Sequence, residues 1–192
     1  MTDPISEDRT IDLSRRKVLL TGIAAAGFVT MPSVMKPAFA ATGMGAYRVA
    51  FRNAHTMESF SGVYRVGDRY LPEAFESINT ILRDYRCGST HPMDPRLMDL
   101  VYWLHYQTGQ ARPFDVISGY RSPQTNALLR EAGGSGVARR SLHMEGKAVD
   151  IRLPGFSTGQ LGRMARGMKA GGVGIYGKSD FVHIDTGKVR TW

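Results

Sequence analysis

Cysteine is nearly absent: Cys87 is the single one in 192 residues. No intramolecular disulfide can form, and a cysteine-rich metal site is excluded. Cys87 lies between Arg86 and Gly88 at an expected helix end, where a buried small apolar side chain is the expectation. The chain also lacks an apolar run that could stay in a bilayer. Its most apolar stretch, Val18 to about Met31, falls short of the roughly 20 residues a membrane helix needs, and Gly22 and Gly27 interrupt it. Acidic residues are the minority, 17 against 25 lysines and arginines, for a formal charge of +8. Such an excess suits a polyanionic neighbour or keeps the protein soluble.

The first residues carry an address. Ser14-Arg15-Arg16-Lys17-Val18-Leu19 is a twin-arginine run, and Ala38-Phe39-Ala40 after the apolar stretch is a small-x-small cleavage site. Residues 1–40 are therefore expected to be a signal peptide read by the twin-arginine translocase. Residues 41–192 are expected to form one exported domain with no stable membrane insertion after cleavage. The leader has five basic and four acidic residues, so about +7 stays on the domain. Beyond the membrane the anionic partners are cell-wall polymer and lipid headgroups, and nucleic acid is not expected. The absence of a cysteine at the cleavage site argues against a lipid anchor.

Within the domain, Tyr47, Val49 and Phe51 alternate with Arg48, Ala50 and Arg52. This predicts a strand, returned by Tyr64-Arg65-Val66 after a turn at Ser59–Gly62. Pro72 opens a helix with Phe75, Ile78, Ile81 and Leu82 on one face. Asp94-Pro95 opens a second, with Leu97, Leu100, Val101 and Leu104 inward. His55, His91 and His105 fit structural duties better than ligand duties. Phe114–Tyr120 reads as a strand, followed by a helix that Ser122-Pro123 caps. Arg121 thus falls at a strand end beside a helix N-terminus, a good place to hold a carboxylate or a developing oxyanion. The glycine-rich stretch from Gly133 to Arg140 suits a flap beside a cleft. A last helix capped by Ser157 or Thr158 carries Leu161, Met164, Ala165 and Met168. Gly171–Gly177 lacks the following helix of a phosphate loop and reads as a strand and turn.

The chemistry concentrates in two segments, Ser141-Leu142-His143-Met144-Glu145-Gly146-Lys147-Ala148-Val149-Asp150 and Asp180-Phe181-Val182-His183. In the strand Ala148–Leu153, Asp150 faces away from Val149 and Ile151. In the strand Phe181–Asp185, His183 and Asp185 face away from Val182 and Ile184. His143, Asp150 and His183 are two imidazoles and a carboxylate, a set that suits Zn²⁺ and leaves its fourth tetrahedral position to water.

The pattern Ser-x-His-x-x-Gly-x-Ala-x-Asp with Asp180-x-x-His183 resembles the zinc peptidases of the Hedgehog/D-Ala-D-Ala-peptidase fold. Ser118-Gly119-Tyr120-Arg121-Ser122 and the ending Phe181–Trp192 narrow the resemblance to the YcbK-like murein endopeptidases, the murein endopeptidase K family. The resemblance implies an α+β fold whose small antiparallel sheet carries the zinc site and packs against helices. It implies His143, Asp150 and His183 as zinc ligands, Asp180 as general base and Arg121 as the group stabilising substrate charge. Glu145 is the competing base, and the role of Asp185 is open, with hydrogen bonding to a ligand expected. The implied activity is periplasmic hydrolysis of the stem-peptide cross-links of peptidoglycan, with meso-diaminopimelate in the substrate. Trimming of terminal D-alanine by a carboxypeptidase, or wall binding without catalysis around a structural metal, are the alternatives.

Overall fold

The structure is a computed structural model that describes residues 45–133 and 137–192. The expected signal peptide lies outside the described residues, and so does the middle of the expected flap. Among the described residues, eight strands and four α-helices follow in this order: β1 (Ala46–Asn53), β2 (Ser59–Val66), β3 (Arg69–Tyr70), α1 (Pro72–Ile81), α2 (Pro95–Thr108), β4 (Phe114–Ser118), α3 (Pro123–Glu131), β5 (Ala148–Arg152), α4 (Thr158–Gly167), β6 (Gly172–Tyr176), β7 (Phe181–Asp185) and β8 (Arg190–Thr191).

The strands form one sheet in the order β3-β2-β1-β4-β5-β7-β6-β8. The expectation of a small antiparallel sheet is corrected on both counts. Eight strands take part, and the β1/β4 and β6/β8 pairs are parallel. The reason is connectivity: the chain reaches β4 from the β1–β3 hairpins only after α1 and α2, and such a crossover returns a strand in the same direction. The central run β4-β5-β7-β6 is antiparallel throughout.

Local chemistry fixes the helix starts. Pro72, Pro95 and Pro123 each occupy the first turn, where a missing N–H costs nothing. Asp94 accepts from Arg96 N, Ser122 from Thr125 N and Ser157 from Gln160 N. The core gathers Phe51, Tyr64, Ile78, Leu82, Leu97, Met98, Leu104, Phe114, Ile151 and Leu161, all fully buried. Val149, Ile151, Val182 and Ile184 join it from the middle of the sheet. Alternation therefore leaves Asp150, His183 and Asp185 on the other face.

Two local expectations shift. β2 already begins at Ser59, so the β1–β2 turn lies earlier, closed by Met57 N on Asn53 O and by Met57 in the left-handed region. Cys87 is exposed, because it sits in the loop after α1 with its thiol on the Ser89 and Ser122 hydroxyls. His55 stacks on Tyr85 and His91 on Tyr120, as structural histidines would.

Candidate active site

β5 and β7 run antiparallel with Asp150 directly opposite His183. His143 approaches from a short 3-10 turn, Leu142–Glu145, which Gly146 closes at φ +65°. A Cβ at residue 146 would stand 2.2 Å from the Pro92 carbonyl oxygen, so only glycine lets the turn seat this deeply. Three elements thus deliver three side chains to one point. His143 Nε2 lies 3.2 Å from His183 Nδ1 and 3.3 Å from Asp150 Oδ1, and His183 Nδ1 lies 2.9 Å from the same oxygen. All three residues are at least nine-tenths buried.

The far nitrogen of each ring fixes what the near one presents. His143 Nδ1 is 2.7 Å from Gly119 O, which can only accept, so Nδ1 carries the proton. His183 Nε2 is 3.0 Å from Asp185 Oδ2. Asp185 is completely buried and accepts from five donors: His183 Nε2, the backbone N–H of Gly172 and Gly187, and two Arg190 nitrogens. Burial alone would raise its pKa. The imidazole, the Arg190 guanidinium and the backbone donors outweigh that and hold the carboxyl well below the usual range. It therefore stays an acceptor, and His183 Nε2 carries the proton. In the neutral rings, two lone pairs and a carboxylate oxygen then face one another.

Three acceptors this close repel unless a cation sits among them. Ligands at roughly 2.0–2.1 Å in a tetrahedral Zn²⁺ site stand about 3.3 Å apart, near the separations found here. The residues present therefore fit a divalent ion, and His143, Asp150 and His183 are the ones that could hold it. Asp150 is prepared for the role. Burial pushes its carboxyl up, but the two imidazoles outweigh this and keep it far below its ordinary value. For His183 burial acts downward, and the carboxylates of Asp150 and Asp185 carry the net shift upward.

Arg121 closes the back of the cluster. Its backbone N donates to His143 O, and Nη2 reaches Asp150 Oδ2 and Ser118 Oγ only at 3.5 and 3.3 Å. Its Nε is buried without a partner. Burial lowers its pKa, with Asp150 opposing, but a guanidinium remains charged. The side chain thus lines the cleft as a cation with unfilled hydrogen-bonding capacity.

Asp180 is not brought to this point. Phe181 begins β7, and Asp180 before it takes the left-handed conformation, φ +52°, that ends a 3-10 turn. Its exposed carboxylate accepts from Thr158 Oγ1, faces Arg152 Nη1 at 3.8 Å and does not line the cleft. Asp180 thus stands beside the ligand strand and outside the cluster, and the general-base role expected there rests on the Asp180-x-x-His183 motif. Glu145 is exposed and paired with Lys147 Nζ at 2.7 Å.

The cleft walls hold residues to which the sequence reading gave no chemical role. Arg140 and Arg190 join Arg121, and Tyr176, Phe181 and Trp192 supply the aromatic side, while Asp150 is the one carboxylate among the described lining residues. Val137 and Ala138 also line it, and Asn126 Nδ2 holds Ala138 O at 3.0 Å. Arg190 and Trp192 come from a two-residue strand and its end, which no periodicity announces.

The family model described as peptidoglycan L,D-endopeptidase MepK, an M15 peptidase group, matches residues 42–192. The peptidoglycan L,D-endopeptidase MepK of Escherichia coli strain K12 is 40% identical over 182 residues, covering 94% of this chain and 98% of that protein. The probable peptidoglycan L,D-endopeptidase MepK of Haemophilus influenzae is 35% identical over 184 residues, 95% of this chain and 97% of that one. No solved structure matches the chain. On the family match and the near-complete coverage, this chain belongs to the peptidoglycan L,D-endopeptidase MepK family of M15 peptidases.

Proposed function

We propose that the protein is a zinc-dependent endopeptidase that hydrolyses peptide cross-links of peptidoglycan in the periplasm, with His143, Asp150 and His183 as the metal ligands. The observation carrying this is the mutual approach, within 3.3 Å, of a carboxylate oxygen and two ring nitrogens, with both rings held in the metal-binding tautomer. The bond cut is the L,D type named for its relatives. The fold belongs with the Hedgehog/D-Ala-D-Ala-peptidase group. Residues 1–40 serve as a twin-arginine signal, with the translocase as a transient partner.

When bound, the ion would supply a Lewis acid that polarises the peptide carbonyl and acidifies the attacking water. The chain's own residues do the rest. Asp185 and the Gly119 carbonyl keep the protons of His183 and His143 on the far nitrogens. Arg121, buried and short of partners, offers a planar pair of donors to the oxyanion or to a substrate carboxylate. Arg140 and Arg190 give the cleft a positive wall, which suits stem peptides rich in carboxylates.

The test is digestion of purified cross-linked muropeptides, followed by mass spectrometry, with enzyme as loaded, chelator-treated and zinc-restored. Dimers should fall to monomers, stop with chelator and resume with zinc. Loss of terminal D-alanine from monomers with dimers intact would make it a carboxypeptidase. Zinc binding with no product of either kind would make it a wall-binding protein.

A further inference from the structure

The aromatic wall of the cleft contains a hydrogen-bond chain that the reading above does not use. Tyr176 ends β6, and its ring stacks on Phe181 at 4.5 Å between centroids and 17° between planes. Trp192 Nε1 lies 2.8 Å from the Tyr176 hydroxyl. An indole N–H can only donate, so the phenol oxygen is the acceptor and its own proton must point elsewhere. Both side chains line the cleft. The Trp192 ring also lies 5.2 Å from the ring of His183, so the hydroxyl is one indole away from the metal-binding cluster.

The indole is seated firmly enough to orient its neighbour. Trp192 N donates to Val173 O and Ile175 N to Trp192 O, which fastens the residue to β6. Arg190 covers the ring at 5.0 Å, and Arg166 Nη2 holds Trp192 O at 2.9 Å. The ring lies flush on Gly174, where a Cβ would come within 2.6 Å of it. Gly174 is the partner of His183 across β6 and β7, so the same strand pair positions indole and imidazole.

The geometry points to Tyr176 as a catalytic hydrogen-bond donor to the scissile carbonyl oxygen of the substrate, with Trp192 as the positioning residue that turns the phenol proton into the cleft. The inference rests on the endopeptidase reading. The donor gains strength as negative charge develops on that oxygen, so its contribution appears in turnover more than in binding. No bond is made or broken at Tyr176, and the phenol keeps its proton throughout.

The experiment compares wild type, Tyr176→Phe, Trp192→Phe and the double variant on a cross-linked muropeptide, with kcat and KM separated. Binding of an uncleavable stem-peptide analogue is followed by calorimetry on the same proteins. Tyr176→Phe keeps the Phe181 stack and should lower kcat about 100-fold or more with KM and analogue affinity within about twofold. Trp192→Phe should lower kcat about tenfold and add nothing in the Tyr176→Phe background. In a Trp103→Phe background, where Trp192 is the sole tryptophan, Tyr176→Phe should shift its emission because the indole N–H loses its acceptor. A kcat unchanged in Tyr176→Phe, a change confined to KM, or a full Trp192→Phe effect in the absence of the phenol would each overturn the proposal. An inactive wild type would instead overturn the endopeptidase reading itself, and this proposal with it.

Discussion

Asp185→Asn tests the arrangement at its least replaceable point. The carboxylate meets donors on every side. Oδ1 takes Gly172 N, Gly187 N and Arg190 Nη1 at 3.0, 2.8 and 3.1 Å, and Oδ2 takes His183 Nε2 and Arg190 Nη2 at 3.0 and 2.7 Å. An amide must turn its NH₂ group toward one of these sets. Placed at the Oδ1 position it faces three donors, two of them immovable backbone. Placed at Oδ2 it faces the imidazole, which can yield by moving its proton to Nδ1. That proton then points at Asp150 Oδ1, 2.9 Å away, in the space the metal would share. The cheaper arrangement is therefore the one that spoils the ligand. Loss of such an orienting carboxylate typically weakens metal affinity 10- to 100-fold, about 1.4–2.7 kcal/mol. Weakening the charge-assisted bonds to Arg190 adds about 2–3 kcal/mol of lost stability in the metal-free protein. That corresponds to a fall in Tm of roughly 4–12 °C for a domain of this size. Competition with a chromogenic chelator measures the affinity, and melting of the metal-free proteins measures the stability. A folded Asp185→Asn protein that binds zinc within twofold of wild type would refute the tautomer argument.

Two other outcomes follow from the same geometry. Asp180→Asn preserves the left-handed preference and an acceptor for Thr158, so it isolates the general-base role that the family motif implies: muropeptide turnover should fall by about two orders of magnitude with zinc still bound, and turnover within about threefold would move the base elsewhere. Asp84 is buried, and although burial raises its pKa, bonds from the Thr125 side chain, Ser122 and Arg86 N outweigh it and bring it down to about 2. Its contribution, about 2 kcal/mol, should be complete above about pH 5 and vanish as pH falls from about 4 through 2. Urea unfolding of wild type and Asp84→Asn across that window should show the stability gap closing, and a gap that does not change with pH would refute it.

The legible parts of the site were those written in a strand's period of two. Val149, Ile151, Val182 and Ile184 announce two half-buried strands, and Asp150 and His183 occupy the positions left for the other face. Helix starts were legible because proline and a capping side chain act within one turn. The extent of the sheet was not, since β3 and β8 are two residues each and parallel pairing depends on connections far along the chain. The spacing of Asp180 from His183 matches a family motif, but its left-handed backbone just before β7 is not written in that spacing. Tyr176, Arg140, Arg190 and Trp192 reach the cleft from a strand end, a loop and the β8 segment, where sequence distance carries no information about direction.

The apolar residues nevertheless specify the metal-binding geometry. In β5 and β7, Val149 faces Ile184 and Ile151 faces Val182 across the strands, with Asp150 and His183 paired between them. A slip of one residue in either strand would turn its aliphatic side chains toward the cleft and drive a carboxylate or imidazole into the core. Exposing all four aliphatics would cost about 6–12 kcal/mol as an upper estimate, comparable with the whole stability of a domain. The register that buries the aliphatics is thus the same register that sets Asp150 opposite His183. Only His143 needs separate placement, and the Gly146 turn with the Gly119 carbonyl provides it. Substitutions that loosen the β5/β7 core should therefore weaken metal affinity in proportion to stability, although none of them touches a ligand.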